Sequence, residues 1–118
     1  MDMNKDFYMY ATGYVGHISP TRFTTKGDQI TNFRLGVPRG TTTFWVECVL
    51  MGSQVELTKS LHVGQKIAVW GVPDVKAWVK STETEDIPMA TLRCWVSGLS
   101  DRSPDPTIEP SLEDLVAR

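Results

Sequence analysis

The 118 residues are enough for one hydrophobic core but not two, and 41% hydrophobic with 22% charged residues is an ordinary globular composition. No apolar run approaches the length of a membrane span, and the N-terminus carries neither an h-region nor an Arg-rich presequence, so a cytoplasmic protein without membrane contact is expected. The net charge of −2 speaks against a polyanionic ligand until it is divided along the chain: residues 7–98 hold nine Lys/Arg against seven Asp/Glu, and residues 99–118 hold two Arg against five acids. A mildly basic body therefore precedes an acidic tail.

Residues 1–6 are polar and expected to fray. Phe7–Gly16 is rich in strand formers and holds Gly13 and Gly16, which predict a bulge or bend in the first strand of a small barrel. Pro20 interrupts, Arg22–Thr24 resumes briefly, and Thr25–Asp28 predicts a turn with Gly27 at positive φ. Ile30–Val37 alternates cleanly, with Phe33, Leu35 and Val37 on one face and Asn32, Arg34 and Gly36 on the other. The short polar link Pro38–Thr42 predicts a hairpin into the third strand, Phe44–Leu50. Its even positions, Phe44, Val46, Cys48 and Leu50, are uniformly apolar and assigned to the core, which turns Trp45, Glu47, Val49 and Met51 outward.

Ser53 with Glu56 three residues later forms a capping-box pattern for a short helix, with Leu57 and Leu61 on one side and Gly64 as its stop. Lys66–Trp70 predicts the fourth strand, which Gly71–Asp74 interrupts and Val75–Val79 extends. Lys80–Pro88 reads as a charged loop and Met89–Val96 as the last strand. A single folded domain is thus expected over 1–99. Pro104, Pro106 and Pro110 then mark residues 100–118 as an acidic, disordered tail, in which Leu112, Leu115 and Val116 could dock on a protein partner. The whole reads as an all-β chain of five strands with one short helix between the third and fourth. That is the order of the OB-fold, a Greek-key barrel that binds oligonucleotides, although strand count alone leaves other small barrels open.

Catalysis finds no constellation. His17 and His62 sit in no nucleophile or metal motif, and Glu83, Glu85 and Asp86 read as a solvated loop, so no enzyme, cofactor or metal site is expected. Cys48 and Cys94 lie in apolar strand candidates without a partner at ligand spacing, and read as buried reduced thiols. The four tryptophans divide. Trp45 faces away from the apolar side of its strand, and Trp78 stands between Lys76 and Lys80, a ring flanked by cations that suits stacked bases with adjacent phosphates. Trp70 and Trp95 lie in denser apolar runs and read as core or subunit contacts.

Several segments together resemble the bacterial single-stranded-DNA-binding (SSB) proteins over roughly residues 8–98. They are Gly13-Tyr14-Val15-Gly16, Arg22–Gly27 leading into Ile30–Leu35, Thr43-Phe44-Trp45, Val49–Gly52, Val63–Ile67, Val69-Trp70-Gly71, and Trp78 seven residues later. The resemblance implies an OB-fold assembled as a homotetramer that wraps single-stranded DNA with little sequence preference. Carried over by position, it implies Trp45 and Trp78 as stacking aromatics and Arg22 and Lys76 as basic positions on the DNA path. Met51 stands where the family carries a stacking Phe, Thr41 where it carries a Trp, and Glu47, Ser53 and Asp74 replace residues that are often basic.

The expected function is sequence-tolerant binding of single-stranded DNA in replication, recombination or repair, close to the nucleoid. Trp45 and Trp78 would stack, and Arg22, Arg34, Arg39, Lys76 and Lys80 would meet phosphates. A second reading fits the same residues: an OB-fold assembly module of a replisome or primosome, with nucleic-acid binding secondary.

Overall fold

The computed structural model describes residues 7–100. The described residues form six strands, β1 Met9–Ile18, β2 Arg22–Phe23, β3 Gln29–Arg39, β4 Thr42–Met51, β5 Lys66–Ser81 and β6 Asp86–Ser100, with one 3₁₀ helix, Gly52–Ser60, between β4 and β5. Their sheet order is β1-β5-β6-β4-β3-β2, and β1 also pairs with β3, so five long strands close into a ring with the two-residue β2 at its margin. All neighbours are antiparallel except β4 and β6, which run parallel through Glu47–Arg93, Cys48–Cys94 and Val49–Trp95. This is the strand order and closure of an OB barrel.

The first strand closes the ring by changing partner. Met9–Tyr14 pairs with β5, Tyr14–Ile18 pairs with β3, and the register slips between Val15 and Ile18. Gly13 makes the changeover possible, because a Cβ there would lie 2.4 Å from the Gly36 carbonyl oxygen. The β3–β4 hairpin turns on Gly40 at φ 60°, and no non-glycine among the described residues has positive φ, the pattern of a type II′ turn. The predicted turn before β3 also forms, with Gly27 at φ 89°.

Alternation fills the barrel. Phe33, Leu35, Val46, Cys48, Leu50, Ile67, Val69 and Cys94 are buried to within 2% of complete exclusion from solvent. Thr31 is the buried polar residue among those described, and its hydroxyl donates to the Ser19 carbonyl at 2.8 Å. Burial pushes the Cys94 thiol up to about 12, and raises Cys48 further, helped by the neighbouring Cys94 and Glu47. Two positions depart from the expected faces of β4. Phe44 is 41% exposed because it lies at the hairpin end opposite Val37, and outward-facing Val49 is buried in register between Asn32 and Trp95.

Three further expectations need correction. The helix is not built on a capping box: Met51 holds the N-cap position without a side-chain bond, and Glu56 pairs with Lys59 at 2.8 Å. It is a 3₁₀ helix with Val55 as its buried residue; Leu57 packs against the barrel core and Leu61, just past the helix end, belongs to it, so both leucines face the barrel as expected. Gly71–Asp74 does not interrupt β5, which runs for 16 residues with a register shift between Trp70 and Gly71. Pro73 is tolerated because β1 pairing ends at Gly71, leaving that side of β5 without a neighbour.

Lys80–Pro88 is likewise no loop, since the strands continue to Ser81 and from Asp86 around a tight turn. Thr82 braces that turn, its hydroxyl donating to the Glu85 carbonyl at 2.8 Å and accepting from the Glu85 N–H at 3.0 Å. β5 and β6 therefore form a two-stranded arm projecting past the barrel. β6 runs through Ser100; the tail with Leu112, Leu115 and Val116, and residues 1–6, lie outside the described residues.

Candidate nucleic-acid interface

On the outward face of β3, β4, β6 and β5 the strand registers set up a row of alternating charge. Arg34 lies opposite Glu47, Glu47 opposite Arg93, and Arg93 opposite Asp74. Pairing within the row is uneven. Arg93 donates to the Asp74 carboxylate, and Trp95 Nε1 donates to the same oxygen at 3.3 Å. The Arg93 bond, then the Trp95 bond, hold the Asp74 carboxyl below the usual carboxylate value. The Arg93 guanidinium also lies 5.3 Å from the Trp95 ring centroid.

Trp45 is 45% exposed, which bears out its outward orientation. Its benzo end comes down over two glycines: a Cβ would stand 3.0 Å from Cζ3 at both Gly16 and Gly36. Those glycines form a floor that only residues without side chains can supply. Arg34 leans across from β3 and sets its guanidinium 4.8 Å from the ring centroid. With the guanidinium over the indole, ring and cation together form a cationic stacking platform for a base.

Trp78, 40% exposed, is carried on the arm opposite Met89, and its Nε1 donates to Thr91 Oγ1 at 2.9 Å. That bond draws the indole over β6 and fixes its orientation. Lys76 and Lys80 flank it on the same face, exposed and without an ion-pair partner among the described residues. Arg39 sits at the tip of the β3–β4 hairpin, its guanidinium 5.9 Å from the Phe44 ring. Because β4 and β6 run parallel, hairpin and arm project from the same end of the barrel. Arg22 reaches the face from β2, where it donates to Asn32 Oδ1 at 2.8 Å.

Trp45, Arg34, Lys76, Trp78 and Lys80 thus share one outward sheet face, with Arg39 and Arg22 at its edges. The sequence reading missed Arg93, Trp95 and Phe44. Trp95 and Trp70 are half-buried, and neither belongs to the core cluster; Trp70 packs on Gly98. The signal for Trp95 was present. In Met89–Val96 the even positions Ala90, Leu92, Cys94 and Val96 are all apolar, which turns Thr91, Arg93 and Trp95 outward by the logic that placed Trp45. Among the described residues no three His, Cys, Asp or Glu side chains converge as a metal site would require.

Neither a protein-family model nor a curated protein sequence matches the chain. Solved structures do. The small single-stranded-DNA-binding protein of Streptomyces coelicolor superposes with a TM-score of 0.61 at 18% identity, covering 80% of this chain and 93% of that one. The SSB domain of a Synechococcus protein gives 0.61 at 10% identity, covering 79% and 92%. The PriB protein of Ralstonia solanacearum gives 0.57 at 15% identity, covering 80% and 95%. At these identities the likeness is one of fold: the chain is an OB-fold barrel of the architecture found in SSB and PriB structures.

Proposed function

We propose that this protein binds single-stranded DNA across the outward face of β3, β4, β6 and β5. The observation that carries the reading is the coincidence on one face of Trp45, Trp78 and Trp95 with Arg34, Arg93, Lys76 and Lys80. Half-exposed rings beside cations bind unpaired bases and their phosphates. Solved structures of the same fold named as single-stranded-DNA-binding proteins support it. The work such a protein would do is protection of single strands during replication, recombination or repair, as a homo-oligomer, a tetramer by resemblance.

The test is anisotropy of a labelled oligo-dT with the chain at several salt concentrations. Log K should fall with log[salt] at a slope corresponding to about two to four neutralised phosphates, each worth about −0.7. No association at low salt would sink the proposal.

The assembly-module reading has its own support in the core-side face of the arm. There Val75 is 62% and Val79 59% exposed, on strands with no charged residue facing that way between Pro73 and Val79. Both readings allow a homo-oligomer, so light scattering is paired with the oligo-dT titration to separate them: an assembly module associates through this face without binding the strand.

A further inference from the structure

Glu47 stands on a surface where a carboxylate works against a polyanion. It shares the outward face of β4 with Trp45, two residues and about 7 Å away along the strand. It has Arg34 opposite on one side and Arg93 opposite on the other. Either guanidinium could neutralise it, yet Arg34 turns to the Trp45 ring and Arg93 to Asp74. The hydrogen-bond partner of Glu47 is neutral: Asn32 Nδ2 donates to Oε1 at 2.6 Å.

Asn32 is itself held from the other end. Its Oδ1 accepts from Arg22 at 2.8 Å and from Ser19 Oγ at 3.1 Å, so the amide can present only its N–H group to Glu47. The carboxylate is therefore braced in place and keeps accepting capacity beside the Trp45–Arg34 platform. A carboxylate only accepts hydrogen bonds, and a phosphate offers none to accept at neutral pH. Base edges do. Cytosine N4, for example, donates to Glu and Asp in direct base readout. Adenine and guanine also carry an amino group on the pairing edge, whereas thymine places carbonyl oxygens on both sides of its single ring N–H.

We infer that Glu47 reads the pairing edge of the base stacked at Trp45 and favours amino-bearing bases over thymine. The inference rests on the single-strand reading above, and it makes the binding less sequence-tolerant than the platform alone would be. Glu47 is then a specificity residue on a face whose affinity comes from stacking and cations.

The test titrates the full chain with oligo-dC, oligo-dT and an abasic strand of equal length in one buffer near neutral pH. Oligo-dC should bind about five-fold tighter than oligo-dT, an effect of the size expected for one solvent-accessible hydrogen bond to a charged acceptor. The abasic strand should bind weakest. Glu47→Gln keeps the acceptor for Asn32 but removes the charge and adds a donor for thymine. It should strengthen binding of both strands and bring their ratio within about two-fold. Glu47→Asp keeps the charge and shortens the reach, and should lower the ratio without that general gain. Equal binding of dC and dT by the unaltered chain, or a ratio unmoved by Glu47→Gln, overturns the inference and leaves the single-strand reading standing. If neither base-bearing strand outbinds the abasic one, the single-strand reading itself is wrong.

Discussion

Gly36→Ala offers a test whose sign is informative. In the interior of a strand, glycine ordinarily costs about 0.5–1 kcal/mol relative to alanine, so the substitution should stabilise where nothing crowds it. At Gly36 the new methyl would sit 3.0 Å and 3.1 Å from Trp45 Cζ3 and Cη2, and 3.1 Å from Thr43 Cγ2. Carbon contacts settle at about 3.5–4.0 Å, so ring and methyl must separate by about 0.5–1 Å. Forcing that shift costs about 1–3 kcal/mol against the backbone gain of about 0.5–1, which leaves a net loss centred on about 1 kcal/mol. The displaced indole should also lose its seat under Arg34 and weaken oligonucleotide binding.

Denaturant melts give the stability change, and a double-mutant cycle with Trp45→Ala assigns it. In the Trp45→Ala background most of the penalty should vanish, with the Thr43 methyl group accounting for what remains. A Gly36→Ala chain as stable as the original, or more so, with Trp45 intact would refute the claim that the glycines form the floor of the platform.

Trp78→Ala should weaken oligo-dT binding by about 1–3 kcal/mol, the range for a lost base–aromatic stack, while costing little stability because the ring is 40% exposed. Lys76→Ala should reduce the salt slope by about one phosphate's worth, read from the same titrations. Cys48 and Cys94 are buried with raised thiol pKa values, so Ellman's reagent should label neither in the native chain and both in denaturant. Rapid native labelling would mean that the β4–β6 seam opens. Arg93 and Trp95 hold the Asp74 carboxyl below its ordinary 3.8, so its stabilising contribution is present above that value and lost as pH falls through the lowered one. Asp74→Asn should accordingly lower Tm near neutral pH, and the gap should close in acid below 3.8.

The barrel was legible because alternation is a direct imprint of a two-sided sheet. Phe33 and Leu35 against Asn32 and Arg34, and Val46 and Cys48 against Trp45 and Glu47, gave both the strands and their faces. What stayed hidden depended on where neighbouring strands end. Pro73 and Pro88 look like breaks until the β1–β5 pairing is seen to end at Gly71 and the β4–β6 pairing to begin only at Arg93, so that each proline lies where its strand has a ladder on one side alone. The same geometry turned an expected charged loop into the arm that carries Trp78.

Within the candidate site, Trp45 and Trp78 were readable from their flanking residues, whereas Arg93 and Trp95 were obscured by an apolar run read without its alternation. The brace from Asn32 to Glu47 was not readable at all. It joins residues 15 apart in sequence, diagonally across a β3–β4 register set by the two-residue turn at Gly40, whereas the sequence placed only a longer Pro38–Thr42 link there.

The central claim is that unpaired bases stack on the outward tryptophans, and one experiment tests it most directly. Intrinsic tryptophan fluorescence should be followed while the chain is titrated with oligo-dT, and in parallel with the same strand annealed to its complement. Saturable quenching at a fixed number of nucleotides per chain, with the duplex bound at least about ten-fold more weakly, is the predicted result, because stacking needs bases freed from their partners. Duplex binding as tight as single-strand binding, or single-strand binding that leaves the fluorescence unchanged, would contradict the account.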